Sequence, residues 1–464
     1  IILPAMWRKA YIAAMAALLS FLSGVAPVND RAGIFYGREN AWAEPAPRVP
    51  SGPRVGEALS TALRWIEGRV APVQGGSPVD ERYRGMVFSY DAPAGSPLRG
   101  QSTLYDNALA AIAFTMEGRF VQAESLLSAV LRNAPADGSF PFSFDLYSTA
   151  PVISAKDRSV LRSGALAWFG YALVYYIEVC PSAGREGMAE PARAKFLEGA
   201  EKIARTLLAF QVIDTGDPRY GLITGGRNTL VLRYDEEKKR TREVFVAGAV
   251  PWASAEHNID AYFFLEGLAR LTGDERYRRS ALLVRRGMLE RLWDQGTGQF
   301  RQGMDSRRVD TALSLDCASW GSLFALAAGE KQKALRSVEA MRRFRVTEGA
   351  CRGYRPYAGG PVYESRDVGV AVFGDHRRWD DLPMVWPEGS LGAAAALARV
   401  GRAEDSLRVI EEIIALRGLD GGIPYATLEV PFLFTKHHST ASSAWMIIAL
   451  NIFNGTEAGK KFWR

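Results

Sequence analysis

The sequence has little of what metal, redox and phosphate chemistry require. It contains 3 Cys and 4 His in 464 residues. Cys180, Cys317 and Cys351 lie far apart and form no CxxC pair, so neither a zinc site nor a disulfide framework is signalled. At most one bridge can form, and Cys180 and Cys317 fall on apolar helical patterns that read as buried thiols. There is no HExxH motif and no EF-hand loop. The glycine-rich stretch from Gly221 to Arg227 lacks the GxxxxGK(S/T) pattern of a phosphate loop. No cofactor and no metal are therefore expected. An excess of one charge is also weak. The net charge is +6, and basic residues cluster only locally, as in Lys238-Lys239-Arg240 and Arg342-Arg343. Without a basic stripe interleaved with aromatics, nucleic acid is excluded as a partner. The mild excess suits an acidic glycan, an anionic membrane surface or no charged partner.

What is present begins with a long apolar run from Ala10 to Val28, preceded by Arg8 and Lys9. Ala41-Trp42-Ala43 then offers a small-x-small cleavage site before Glu44. Residues 1–43 read as a secretory leader with Met6 as its expected start. The polar stretch from Asn29 to Asn40 is long for a cleavage region and the apolar run approaches spanning length, so an uncleaved membrane anchor is the alternative. Either reading puts the body in the periplasm or outside the cell, with membrane contact only through this segment. Residues 44–54 are rich in proline and read as a linker. Residues 55–464 form the remaining domain.

From Val55 onward apolar residues recur at three- and four-residue spacing, which predicts helices. They come in pairs joined by tight glycine turns: Thr103 to Met116 with Phe120 to Arg132, Glu256 to Leu271 with Glu275 to Trp293, Leu315 to Ala328 with Lys331 to Phe344, and Glu388 to Val400 with Ala403 to Leu416. The joining Gly118, Gly273, Gly329 and Gly401 suit left-handed caps. Val160 to Val179 pairs with Pro191 to Phe210 through a longer turn. Val55 to Val70 and Ser439 to Phe453 remain, one near each end; pairing them gives six hairpins. A glycine–aromatic loop follows most second helices, as in Asp137-Gly138-Ser139-Phe140, Arg219-Tyr220-Gly221, Gly298-Gln299-Phe300, Arg352-Gly353-Tyr354 and Gly421-Gly422-Ile423-Pro424-Tyr425. Such recurrence marks a repeat architecture. The spacing varies from 56 residues (Gly273 to Gly329) to 72 (Gly329 to Gly401), which favours a closed ring with inserted loops over a regular solenoid.

These hairpins carry Tyr105-Asp106-Asn107-Ala108-Leu109, Glu256-His257-Asn258-Ile259-Asp260-Ala261-Tyr262 and Trp386-Pro387-Glu388-Gly389 at helix starts. In this the chain resembles the six-hairpin glycosidase superfamily over roughly residues 55–453, without a signature of any one family. The resemblance implies an all-α (α/α)6 toroid with short β-like loops at the cleft face. It also implies a catalytic domain acting on a polysaccharide or oligosaccharide, and a monomer is expected. Inversion of the anomeric centre is implied only because many members of the superfamily invert.

In such a ring the helix that follows each glycine–aromatic loop is the inner one, and all inner N-termini open on one face. This gathers Tyr105, Asp106, Ser163, Glu256, His257, Asp260, Asp316, Glu388, His437 and His438 around one mouth. Aromatics stand beside them: Tyr105, Trp252, Trp320, Trp386 and, further off, Phe434. An acid at a helix start is often only a cap. A rim of carboxylates with aromatics is, however, what sugar binding needs, since rings stack on pyranose faces and carboxylates accept hydroxyl hydrogen bonds. The chain's 11 Trp and 17 Tyr suit that use as well as core filling.

Glycoside hydrolysis takes two carboxyl groups, one to protonate the leaving oxygen and one to activate water or attack. Glu388, enclosed by Val385, Trp386 and Pro387, best meets the acid's need for apolar surroundings. Glu256 is the expected base, with Asp106 close behind. Tyr105, His257, Asp260, Trp252, Asp316, Trp320, Trp386 and His438 are expected to bind substrate. His437 and His438 are adjacent, point different ways and make a poor metal pair. Two rival readings are a lyase or epimerase on the same toroid, using His257 and Tyr262, and a non-catalytic glycan-binding protein of envelope polysaccharide assembly. The segment from Thr347 to Asp381 is either a lid over the cleft or a surface insertion.

Overall fold

The computed structural model describes residues 52–72, 78–147, 160–181 and 190–464. The leader expected at 1–43 and most of the linker lie outside the described residues. Among the described residues no helix is long and apolar enough to cross a membrane. Fourteen α-helices are present among them, and strands, apart from the two of one hairpin, are short.

Twelve of the helices form six antiparallel hairpins. They are α2 (Leu104–Met116) with α3 (Phe120–Leu131), α4 (Ser163–Val179) with α5 (Glu190–Leu208), α6 (Ala255–Thr272) with α7 (Glu275–Gly287), α8 (Leu315–Ala327) with α9 (Lys331–Ala340), α11 (Pro387–Arg399) with α12 (Ala403–Ile414), and α13 (Thr440–Phe453) with α1 (Gly52–Glu67). The first and last helices of the twelve pair, as the sequence pattern requires. Helix α1 begins at Gly52, three residues inside the stretch that composition marks as linker. Proline at the second helical position explains this, because the first turn needs no amide donor from it.

Each inner helix packs on the next in the order α2, α4, α6, α8, α11, α13, and α13 returns to α2. The division into inner and outer is written in side-chain distribution. In α4, SGALAWFGYALVYYIEV, every residue from Ser163 to Ile177 is buried. A helix apolar on all faces must be enclosed on all faces. In α12, AEDSLRVIEEII, only Ser406, Val409, Ile410 and Ile413 are buried, leaving a charged outer face. The turn glycines take the expected left-handed conformation, with φ of 67° at Gly118, 70° at Gly273, 78° at Gly329 and 85° at Gly401.

The axis of the ring is filled with rings. Trp168 of α4 contacts Tyr105 (5.3 Å between centroids), Trp320 (5.7 Å), Trp445 (6.0 Å) and Trp463 (5.0 Å). Trp463 stacks on Phe263 at 4.8 Å with 6° between planes, and its amide donates to the Tyr171 hydroxyl at 2.7 Å. Phe462 and Trp463, just past α14 (Glu457–Lys461), thus plug the end of the toroid opposite the inner N-termini.

Two features depart from the expectation of short loops. A long hairpin, Gly226–Asp235 with Arg240–Val250, leaves the ring between α5 and α6. Its run Leu230-Val231-Leu232, rich in strand-forming residues, carries a local strand signal. The segment from Thr347 to Asp381 has its own small core. Val362, Tyr363, Val368, Trp379, Leu382 and Met384 cluster with Ala426 and Val430, and α10 (Arg366–Phe373) lies within it. It is a packed wall of the cleft, and Leu232 and Tyr234 of the long hairpin rest on it.

The three cysteines are buried. Replacing Trp463 by Ala should cost about 3–5 kcal/mol of stability, as for other large buried aromatics. Chemical denaturation checks this, and a loss below about 1 kcal/mol would mean that the plug lies outside the cooperative core.

Candidate active site

The inner N-termini open on one cavity of about 210 Å³. That is more than the roughly 150 Å³ that takes one benzene, and less than the roughly 300 Å³ at which drug-sized sites begin. It suits one sugar ring inside, with any further chain running out of the mouth. Of the residues expected from sequence, Glu388, Glu256, Asp106, Tyr105, His257, Asp260, Asp316, Trp320 and Trp386 line it.

Trp252 and His438 do not line it, and both are corrections. Trp252 precedes the short strand Ala253–Ser254, which pairs with Gly303–Met304, and its indole lies against Gly303. His438 is turned away toward Trp65, with Nδ1 3.3 Å from carboxylate oxygens of both Asp91 and Asp420. Trp65 Nε1 also donates to Asp420 at 2.9 Å. This cluster joins the first helix to the last loops where the ring closes. His437 faces Asp91 at 3.7 Å and likewise misses the cavity. Tyr262, named for the rival chemistry, packs in the core against Phe263 and Phe324. The reason is common to these residues. Trp252, His437 and His438 lie in non-helical backbone before their helices begin, and Tyr262 lies in the third turn of its helix, so nearness in sequence to an inner N-terminus does not ensure that a side chain points into the cavity.

Glu388 sits in the first turn of α11 and is 5% exposed. The Tyr105 hydroxyl donates to its Oε1 at 2.6 Å, and Trp445 Nε1 donates to the Tyr105 oxygen at 3.0 Å. Gly389 makes room for the Trp386 indole, since a Cβ there would stand 2.2 Å from the ring. Burial pushes the Glu388 carboxyl from 4.5 up to about 8; Tyr105 opposes this, while the charges of Asp106 and Glu256 add to it.

Glu256, in the first turn of α6, accepts from Ser314 Oγ at 2.8 Å on Oε1. Burial raises it to about 7 against that hydrogen bond. Asp106 is raised to about 6 by burial and held down by Ser89, Thr103 and the Ala441 amide. Thr103 Oγ1 lies 2.6 Å from its Oδ2. Burial also lifts Asp316 and Asp260 well above the ordinary carboxyl range, and nearby charges, Glu256 among them, lift both further. The Trp168 indole opposes the shift at Asp260 by hydrogen bonding to it. Each shift has burial as its leading cause, so at neutral pH the cavity carries much less negative charge than its acids suggest.

His257 Nδ1 lies 3.0 Å from Ser163 Oγ. Its ring sits against Gly164, where a Cβ would approach to 2.4 Å. Burial, and then the charge of Arg162, lower it to about 3, so it is neutral. Sequence reasoning missed Tyr90, Trp168 and Arg162, noted Tyr357 and Trp379 only within the segment read as a lid or an insertion, and noted Tyr425 only as a loop residue, yet all six line the cavity. Trp168 is buried mid-helix and carried no signal separate from the core. Tyr357 and Trp379 arrive on the inserted wall. Tyr425 belongs to a glycine–aromatic loop, and that repeat was the available clue.

No family model matches this sequence, and no curated protein matches it. Solved structures match in fold. A glycosidase is 15% identical over 87% of this chain and 97% of its own, with a TM-score of 0.56. A D-mannose isomerase is 11% identical over 89% of this chain and 100% of its own, at 0.55. A cellobiose 2-epimerase from Bacillus thermoamylovorans B4167 is 10% identical over 87% and 99%, at 0.56. The chain therefore has the (α/α)6 toroid fold that these structures share.

A carboxyl whose pKa rises on folding stabilises the fold fully below its unfolded value, and that contribution is lost as pH climbs through the folded value. For Glu388 the window runs from 4.5 to about 8. Melting temperature should fall across that window, and Glu388→Gln should flatten the fall. An equally steep fall in the variant would assign it to other groups.

Proposed function

We propose that this protein is a sugar-processing enzyme of the glycoside hydrolase type, with Glu388 as general acid and Glu256 as general base. The observation that carries the reading is the state of Glu388. It is a carboxyl lining a sugar-sized cavity, held by Tyr105 and pushed to about 8, so it keeps its proton at neutral pH. A leaving glycosidic oxygen needs that proton.

Glu256 is the better base on geometric grounds. Ser314 occupies its Oε1, which leaves Oε2 for a water. Asp106 titrates lower, but hydrogen bonds from Ser89, Thr103 and Ala441 already surround its carboxylate. Its role is to add negative charge beside Glu388 and raise the acid's pKa. Asp260 and Asp316, kept protonated, donate to sugar hydroxyls, and Trp386, Tyr425 and Phe434 offer ring faces at the mouth. Inversion is proposed on the superfamily's habit, and the anomeric configuration of the first product, read by NMR, decides it. If residues 1–43 direct export, the substrate is a glycan outside the cytoplasm.

The epimerase or isomerase alternative has His257 in its favour, together with a D-mannose isomerase and a cellobiose 2-epimerase among the structures of similar fold. It is weakened by the low basicity of that imidazole and by Tyr262 lying in the core. Purified protein offered a polysaccharide panel should release reducing ends without ultraviolet-absorbing product. Absorbing product alone would make it a lyase, and a changed sugar without cleavage an epimerase. Glu388→Gln and Glu256→Gln should each lower kcat by about 10²–10⁴. If turnover is unchanged while glycan affinity drops, the protein is a binding protein. The profile of kcat/KM should be bell-shaped between limbs near about 7 and about 8, from Glu256 and Glu388.

A further inference from the structure

Arg162 is the one cationic side chain among the residues lining the cavity. It is half-buried, and among the described residues its guanidinium makes no ion pair and no hydrogen bond. The nearest charge acting on it is Glu243 of the long hairpin, which is not close enough to pair. Its position is nevertheless fixed. The backbone pairs with Gly226 at the root of that hairpin, and the guanidinium lies 4.2 Å over the Phe142 ring. Gly226 is required there, with φ of 111° and a Cβ that would stand 2.2 Å from the Leu161 carbonyl.

A bland role would be to neutralise the acids across the cavity. Among the described residues, however, no ion pair or hydrogen bond joins it to any of the five acids, and the groups its charge acts on are His257 and Glu243. Asp260, Asp316 and Glu388 hold their protons, which lessens the repulsion an anionic ligand would meet. A half-buried cation held in place without an anionic partner carries a desolvation cost, and a ligand anion would relieve it.

We propose that Arg162, backed by Phe142, binds an anionic substituent of the substrate sugar, and that this substituent is the carboxylate of a uronic acid. The planar guanidinium fork matches a carboxylate in two-point contact. The substrate class is then an acidic glycan. This deepens the hydrolase reading and rests on the same cavity being the sugar site.

The test compares the wild-type protein's affinity for free glucuronate and galacturonate with that for glucose and galactose, by calorimetry. Uronates should bind about tenfold tighter or better, as a charge-assisted contact predicts. Arg162→Gln should erase the preference, and Arg162→Lys should recover part of it; melting curves verify that both fold. Equal affinity for uronate and hexose in the wild type, or a preference that survives Arg162→Gln, overturns the proposal. Galactose 6-sulfate bound in place of the uronates also overturns it. Binding and cleavage fail separately. Arg162-dependent uronate binding without any released reducing ends sinks the hydrolase reading and leaves this one standing. Cleavage of neutral glycans with KM unmoved by Arg162→Gln does the reverse.

Discussion

The structure depends on keeping water out of the axis of a helical ring. Six apolar inner helices enclose a column of aromatic side chains around Trp168, and Trp463 seals its far end. Edge-on and stacked rings of this kind add about 0.5–1.5 kcal/mol per pair beyond the area they bury. Their larger consequence is electrostatic. A dry floor beneath an open mouth makes ionisation of any carboxyl there unfavourable, and burial is the leading cause of the shift at each of the five acids lining the cavity.

On that floor the roles separate through hydrogen bonding. Similar burial acts on Asp106, Glu256 and Glu388, yet they come to rest near about 6, 7 and 8. Asp106 accepts from several donors and stays lowest. Glu256 accepts from Ser314 alone. Glu388 has Tyr105 but also feels the charges of the other two. Groups of one chemical kind pushed to different pKa values are what acid and base roles require. His257 is driven the other way and is held neutral by the same burial.

The inserted wall and the long hairpin turn a symmetric ring into a particular pocket. Tyr357, Val362 and Trp379 close one side, and the root of the hairpin fixes Arg162 on another. Neither element belongs to the repeat. Differences of substrate among toroids of this kind can therefore arise in loops while the ring is retained.

Much of this was legible in the chain. Local apolar periodicity and turn glycines at 118, 273, 329 and 401 determine the hairpins, because helix propensity and left-handed caps are decided within a few residues. An odd helix near each end then implied closure. Acids in the first turns, Asp106, Glu256, Asp316 and Glu388, were found for the same local reason. Which side chains turn inward was decided only by the tertiary structure: Trp252 and His438 sit as close to inner-helix starts as their neighbours yet face elsewhere, while Trp168, Tyr90 and Arg162 reach the cavity from positions that looked like core or loop. The protonation of the acids was decided there too, since desolvation comes from residues far apart in sequence that meet only when the ring closes.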